Sequence, residues 1–165
     1  MNTITIRKLK LNESKLYREI RLKALREYPN FFGSNYQEQA NLEKLYFERL
    51  IEDDSYNGKM YGAFCNLELI GICGMTFDTN ISVNSIELIQ MYVSKEHQRK
   101  GIATRIINQI ISDAKKNDAI SSIVIQVNKN NKAAIHVYEK CGFSPIKKDN
   151  EDSETISLIL NISNK

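Results

Sequence analysis

The sequence predicts an α/β protein, a mixed sheet of six to seven strands with helices on both faces. Three observations carry that expectation. Patterns follow the order strand, two helices, three strands, helix, strand, helix, two strands. The run Ile86 to Val93 is almost all apolar or β-favouring, which suits a strand in the middle of a sheet, covered on both faces. After Gly101, Ile102, Ile106, Ile110 and Ala114 recur every four residues, with Ala103, Ile107 and Ile111 beside them, the pattern of an amphipathic helix.

The elements follow in chain order. Thr3 to Arg7 alternates and reads as the first strand. Asn12 can cap a helix with Leu16, Ile20 and Ala24 on its apolar side. Pro29 and Gly33 bracket a loop holding Phe31 and Phe32, and Ser34 and Gln37 have capping-box spacing for a second helical region running towards Leu50 and Ile51. Asp53-Asp54-Ser55 and Asn57-Gly58 break that pattern. Met60 to Asn66 and Leu69 to Phe77 are joined tightly enough to form a hairpin. Lys115 and Lys116 place positive charge in the last turn of the Gly101 helix, where it complements the helix dipole. Ile123 to Val127 reads as a short buried strand. Asn131 can cap a further helix, which stops at Cys141-Gly142 with Gly142 suited to a left-handed position. Strand-like runs at Ser144 to Lys148 and Thr155 to Ile162 close the chain, and residues 1–165 are expected to form a single domain.

Composition bounds the function. The 42% hydrophobic and 26% charged fractions belong to a globular chain. No apolar run approaches the ~20 residues needed to cross a bilayer, and the start lacks a signal peptide's basic and apolar regions, so a cytoplasmic protein without a membrane partner is expected. Net charge of +3 suits an anionic small molecule and falls short of a nucleic-acid binder's basic stripe. Cys65, Cys73 and Cys141 show no metal-ligand spacing, and His97 and His136 have no cysteine partners arranged as in a zinc finger, so no metal is expected.

The chemistry concentrates in His97-Gln98-Arg99-Lys100-Gly101-Ile102-Ala103-Thr104, a basic loop between a strand and a helix. The first N–H groups of a helix have no partner inside it and carry partial positive charge, a ready site for phosphate oxygens. Gly101 allows close approach or positive φ, Ala103 keeps the surface low, and Arg99 and Lys100 add charge. The loop lacks the glycine and lysine spacing of a Walker loop and the Gly-x-Gly-x-x-Gly of a dinucleotide fold, which leaves another diphosphate ligand.

The run Gln98-x-x-Gly101-x-Ala103 after Met91-Tyr92-Val93 resembles the acetyl-CoA loop of the GNAT superfamily of N-acetyltransferases. Downstream, Asn131, Ala133-Ala134 and Val137-Tyr138-Glu139-Lys140-Cys141-Gly142-Phe143 resemble the same family's Asn…Ala…Tyr-Glu-Lys-x-Gly-Phe segment. The segment from Arg21-Leu22-Lys23-Ala24-Leu25 to Phe32-Gly33-Ser34 is similar to the first helices of many small bacterial members. One departure is Lys95, where many members carry proline before the loop; it is expected to loosen the turn slightly.

The resemblance implies a GNAT-like acyl-CoA N-acyltransferase fold with acetyl-CoA as co-substrate. The strands ending at Val93 and Val127 would splay, admitting the pantetheine arm to backbone groups of Met91 and Val93, with Asn131 on the other side. Gln98, Arg99, Lys100, Gly101, Ile102, Ala103 and Thr104 would hold the diphosphate. Tyr138 matches the tyrosine that serves as general acid to the leaving thiolate, and a core tyrosine packed on Phe143 is the alternative. Glu87 aligns with a glutamate that is the base in some members, against a surface or substrate-orienting carboxylate or a water chain. The acceptor is expected to be a small-molecule amine, with a protein amine or a non-catalytic acyl-CoA module as alternatives. The acceptor site would draw on the first two helices, the Phe31-Phe32-Gly33 loop and the last strands, with Tyr28, Phe31, Phe32 and Tyr36 lending aromatic character. Glu48, Glu52, Asp53 and Asp54 suit either a polyamine or a solvated face. Homodimers are common in similar proteins, and nothing in the sequence decides for one.

Overall fold

The computed structural model describes residues 2–147 and 152–163. Strand β1 (Ile4–Lys8) leads through a 3₁₀ turn at Leu11–Glu13 into helix α1 (Ser14–Glu27). The expected Asn12 cap is absent, because that residue lies inside the 3₁₀ turn and α1 begins two residues later. Tyr17, Ile20, Ala24 and Leu25 form the buried stripe of α1, while Leu16 is 37% exposed. The expected second helical region is two short helices, α2 (Tyr36–Ala40) and α3 (Tyr46–Glu52). Asn35, not Ser34, caps α2, its side chain accepting from the Glu38 N–H. The break at Asn41–Leu45 lets Leu45 and Phe47 turn inward; both are buried.

Strands β2 (Gly58–Cys65) and β3 (Glu68–Thr76) form the hairpin, followed by β4 (Ser85–Val93). Helix α4 (Ile102–Ala114) crosses to β5 (Ser122–Asn128), and α5 (Lys132–Lys140) leads to β6 (Ser144–Pro145) and β7 (Thr155–Asn161). Lys115 is the C-cap of α4 rather than part of its last turn. Lys148, the expected end of the sixth strand, lies outside the described residues. Gly142 has φ 99°, the left-handed conformation that lets the chain reverse after α5.

The seven strands form one sheet in the order β1-β2-β3-β4-β5-β7-β6, antiparallel everywhere except between β4 and β5. Each face carries its own core. On one, Ile102, Ile106, Ile107 and Ile110 of α4 and Tyr138 of α5 pack over Tyr61, Ile70, Ile86, Leu88 and Ile125. On the other, Tyr17, Ile20 and Ala24 of α1 join Leu45, Phe47 and Ile51 over Met60, Ile72 and Tyr92. Gly74 admits this second layer, since a Cβ there would stand 2.8 Å from the Phe47 ring.

Two features of β4 position the site. Its ladder with β5 runs only from Ser85↔Ser122 to Leu88↔Ile125, so its edge facing β5 is unpaired from Ile89 to Val93. Gln90, with φ 59°, makes a bulge where the register with β3 shifts. The expected full cover of this strand is interrupted: Ile86, Leu88, Tyr92 and Val93 are buried, whereas Glu87 and, at the opening, Ile89, Gln90 and Met91 are half-buried.

Candidate active site

The loop between β4 and α4 takes the shape an anion site requires. Lys95–His97 form a 3₁₀ turn, in which the His97 N–H donates to the Ser94 carbonyl at 2.9 Å. Arg99 and Gly101 have φ of 63° and 74°, and Gly101 is the N-cap of α4. The helical ladder starts with the Arg105 N–H donating to the Gly101 carbonyl at 3.1 Å, which leaves the N–H groups of Ile102, Ala103 and Thr104 without helical acceptors. A Cβ built on Gly101 meets nothing within 4 Å, so the space above the helix start is open to a ligand. Lys100 bends back, its Nζ donating to the Glu96 carbonyl at 3.0 Å. The side chain of Gln98 donates to the Val93 carbonyl at 2.8 Å and to the Tyr28 hydroxyl at 3.1 Å, tying the loop to β4 and to the end of α1.

A cleft of about 400 Å³ opens here, lined by Val93, by His97, Gln98, Arg99 and Gly101 to Thr104, and by Ala133, His136 and Val137 of α5. His136 is a wall of this cleft, and so are Ala133 and Val137. Their position on one side of α5 was readable from the spacing 133, 136, 137; that this side turns toward Gly101 was not. Asn131 caps α5, its Oδ1 accepting from the Ala134 N–H at 3.2 Å. That use leaves its Nδ2 donors for a ligand. Met91 and Val93 lie on the edge of β4 that has no strand partner on the β5 side; there the Val93 carbonyl is taken by the Gln98 side chain.

Tyr138 is 3% exposed and meets Phe143 edge-on at 6.0 Å between ring centres. Burial pushes its phenol pKa well up, with Cys73 and Cys141 nearby adding to the effect, so the hydroxyl stays protonated. Glu87 sits one residue before the end of the β4–β5 ladder, opposite Val124 on β5 and Thr76 on β3. Burial raises its carboxyl above the usual range; a hydrogen bond from Thr79 works against that and the charge of Asp78 with it. By strand alternation Glu87 shares its face with Ile89, on the α1 side of the sheet, whereas Ile86 and Leu88 face α4.

The α1 side is aromatic. Tyr28 stacks on Phe31 at 6.0 Å and meets Tyr92 edge-on at 6.2 Å. The Tyr92 hydroxyl donates to Glu27 at 2.7 Å, and the Asn128 side chain at the end of β5 donates to the Asn30 carbonyl at 3.3 Å. Tyr36 lies away from this group, beneath the Arg26 guanidinium. The acidic residues considered for a polyamine are mostly engaged within the chain. Glu48 accepts from Arg18 at 2.8 Å, Glu52 pairs with Lys44 and accepts from Ser14, and Asp54 accepts from Lys59 at 2.6 Å. Three residues escaped the sequence reading. The Tyr17 hydroxyl donates to Gln90 Oε1 at 2.6 Å, and Arg21 lies buried beside Phe32. A glutamine inside the apolar run of β4 was the one available signal.

Among the described residues no group of three or more His, Cys, Asp and Glu side chains is placed to hold a metal ion, and no helix is long and apolar enough to cross a membrane.

The sheet that opens between parallel β4 and β5 at the start of α4 belongs to a fold shared with solved GNAT acetyltransferases, among them one of Streptococcus pneumoniae that superposes with a TM-score of 0.79 at 17% identity over 98% of this chain and 100% of that one. The profile of the acetyltransferase (GNAT) family matches residues 20–143, and the chain belongs to that family. An uncharacterised N-acetyltransferase of Bacillus subtilis (YobR) is 39% identical over 59 residues, covering 36% of this chain and 24% of that protein. The spermidine N(1)-acetyltransferase of Vibrio cholerae is 28% identical over 113 residues, covering 68% of this chain and 63% of the relative. The chain thus spans less than two thirds of the length of these curated relatives. The crystal structure of the PaiA N-acetyltransferase of Thermoplasma acidophilum, a complex with coenzyme A, superposes with a TM-score of 0.75 at 22% identity over 96% of this chain and 99% of that one.

Proposed function

We propose that the chain is a single acetyltransferase domain that moves an acetyl group from acetyl-CoA to a primary amine of a small molecule. The observation that carries this reading is the unpaired edge of β4 leading to the open helix start at Gly101. Three helical N–H groups, the positive end of the α4 dipole and Arg99 fit a diphosphate, and the gap between β4 and β5 fits an extended arm with amides of its own. Acetyl-CoA, when bound, supplies a thioester that an unprotonated amine attacks directly.

The residues of the chain divide the remaining work. Backbone groups of Met91 and Val93, with the Asn131 side chain, orient the arm, and an N–H near Met91 stabilises negative charge on the carbonyl oxygen. Glu87, its proton affinity raised by burial, takes the proton from the incoming amine directly or through water. Tyr138, held protonated by burial, gives its proton to the departing sulfur. Support for a small acceptor over a long peptide comes from the loop after α1, which is tied to the end of β5 by the Asn128 side chain donating to the Asn30 carbonyl. The setting that fits is the cytosol, where acetyl-CoA is made and used.

The test is calorimetric titration with acetyl-CoA, followed by release of free CoA thiol in the presence of amino acids, polyamines, aminoglycosides and short peptides. Binding together with release by small amines supports the reading. Release by peptides alone moves the acceptor to protein amines, and failure to bind acetyl-CoA removes the proposal altogether.

A further inference from the structure

Arg21 lies on the inward face of α1, 3% exposed. Its Nη1 is the single buried side-chain nitrogen or oxygen among the described residues that has no hydrogen-bond partner. A guanidinium carries five N–H donors, and removing it from water without an anion is costly. Its neighbour in the same layer shows the ordinary solution: buried Glu48 is matched by Arg18 and by the Leu45 N–H. Arg21 has no such match. Burial drags its pKa down and only Tyr17 opposes this, with no carboxylate contributing; a guanidinium stays charged all the same.

Its surroundings hold it in place. The Phe32 ring lies 4.9 Å from Cζ, so one face of the guanidinium is stacked. Tyr17, one turn earlier on α1, donates to Gln90 at the β4 bulge, the residue next to Met91 at the opening between β4 and β5. Arg21 therefore lies in the layer between α1 and the sheet, one helical turn from the Tyr17–Gln90 bond that reaches the opening, on the face opposite α4. A planar fork with its face stacked and a donor free suits a carboxylate, which takes two parallel N–H bonds.

We propose that Arg21 anchors a carboxylate carried by the acceptor, so that the substrate is an amino carboxylate, a free amino acid or close analogue, rather than a polyamine. This rests on the acetyl-transfer reading above. A buried cation repels a polycation, and most of the acidic residues that would attract one are already engaged. The relative named for spermidine is 28% identical, which leaves room for a different acceptor.

The test compares matched amines on the wild-type chain with acetyl-CoA: amino acids, their primary carboxamides, their decarboxylated counterparts, and spermidine. The expected result is a kcat/KM for the best acid at least about tenfold above that of its carboxamide and its decarboxylated partner, the loss expected when a charged hydrogen bond is removed. In Arg21→Lys that preference shrinks, and in Arg21→Gln it disappears through a higher KM for the acid, with the KM for acetyl-CoA unchanged. Melting curves and acetyl-CoA titration report whether each variant folds, and the wild-type series stands without them. Equal rates for acids and their carboxamides overturn the proposal, as does a preference that survives in folded Arg21→Gln. If spermidine or another carboxylate-free amine releases CoA and the acids do not, this proposal falls and acetyl transfer stands. If no amine releases CoA although acetyl-CoA binds, both fall.

Discussion

The two faces of the sheet are built by different means. On the α4 side, the cleft is lined by Val93 and by residues of two short stretches, 97–104 and 133–137, and the start of α4 offers it three backbone N–H groups without helical acceptors. On the α1 side, Tyr17, Arg21, Phe32, Glu87 and Gln90 come from distant parts of the chain and act through their side chains. A backbone site needs little more than a glycine and a helix that begins at the right place. A side-chain site changes with every substitution. A fold with two such faces can hold one of them constant while the other varies.

Gly101→Asp strikes the first face hardest. It is expected to raise the Kd for acetyl-CoA at least about a hundredfold, near 3 kcal/mol, in calorimetric titration. Asp and Asn both tolerate positive φ, so Gly101→Asn controls for shape and should lose much less. If the two variants bind equally, charge at the helix start is not what recognises the ligand. Tyr138→Phe should lower kcat by about a hundredfold, the usual worth of a proton donor, while the KM for acetyl-CoA stays within about twofold. An unchanged kcat would leave Tyr138 as packing for Phe143.

Glu87 tests the other face through pH. Its carboxyl is raised by burial, and only the deprotonated form accepts a proton, so kcat/KM should fall as pH drops through a value above the ordinary carboxylate range. Glu87→Gln should lower kcat about tenfold and remove that limb from the profile. A limb that persists belongs to the amine or to another group. The smallest effect is expected from Asn131→Ala, which removes the cap of α5 at a cost of about 1 kcal/mol, read as a lower Tm. No change in Tm would mean that the cap does not hold α5 in place.

Legibility differed between the faces for a physical reason. Gly101, the isoleucines of α4, the Asn131 cap and the left-handed Gly142 obey local rules, and each sits where the pattern placed it. The helical region after Gly33 is two helices rather than one because the break at Asn41–Leu45 serves the burial of Leu45 and Phe47, the latter against Gly74, some thirty residues away in the chain. The cap moved from Ser34 to Asn35 for want of any local signal strong enough to separate adjacent polar residues. Arg21 opens the family-like stretch of the first helix, yet nothing local marks it as buried. An arginine on an amphipathic helix reads as a solvated residue until the loop carrying Phe32 folds over it.

The sequence by itself determined the order of the strands, the two helices that follow β4, the glycine at the start of α4 and the family, because periodicity, capping and glycine placement act over a few residues. Only the tertiary structure decided where β4 and β5 part company, that the Gln90 bulge points to Tyr17, and that a charged side chain lies buried without a partner. Those depend on strand pairing and on helices meeting across the sheet, and no local rule encodes which distant groups will share a low-dielectric space.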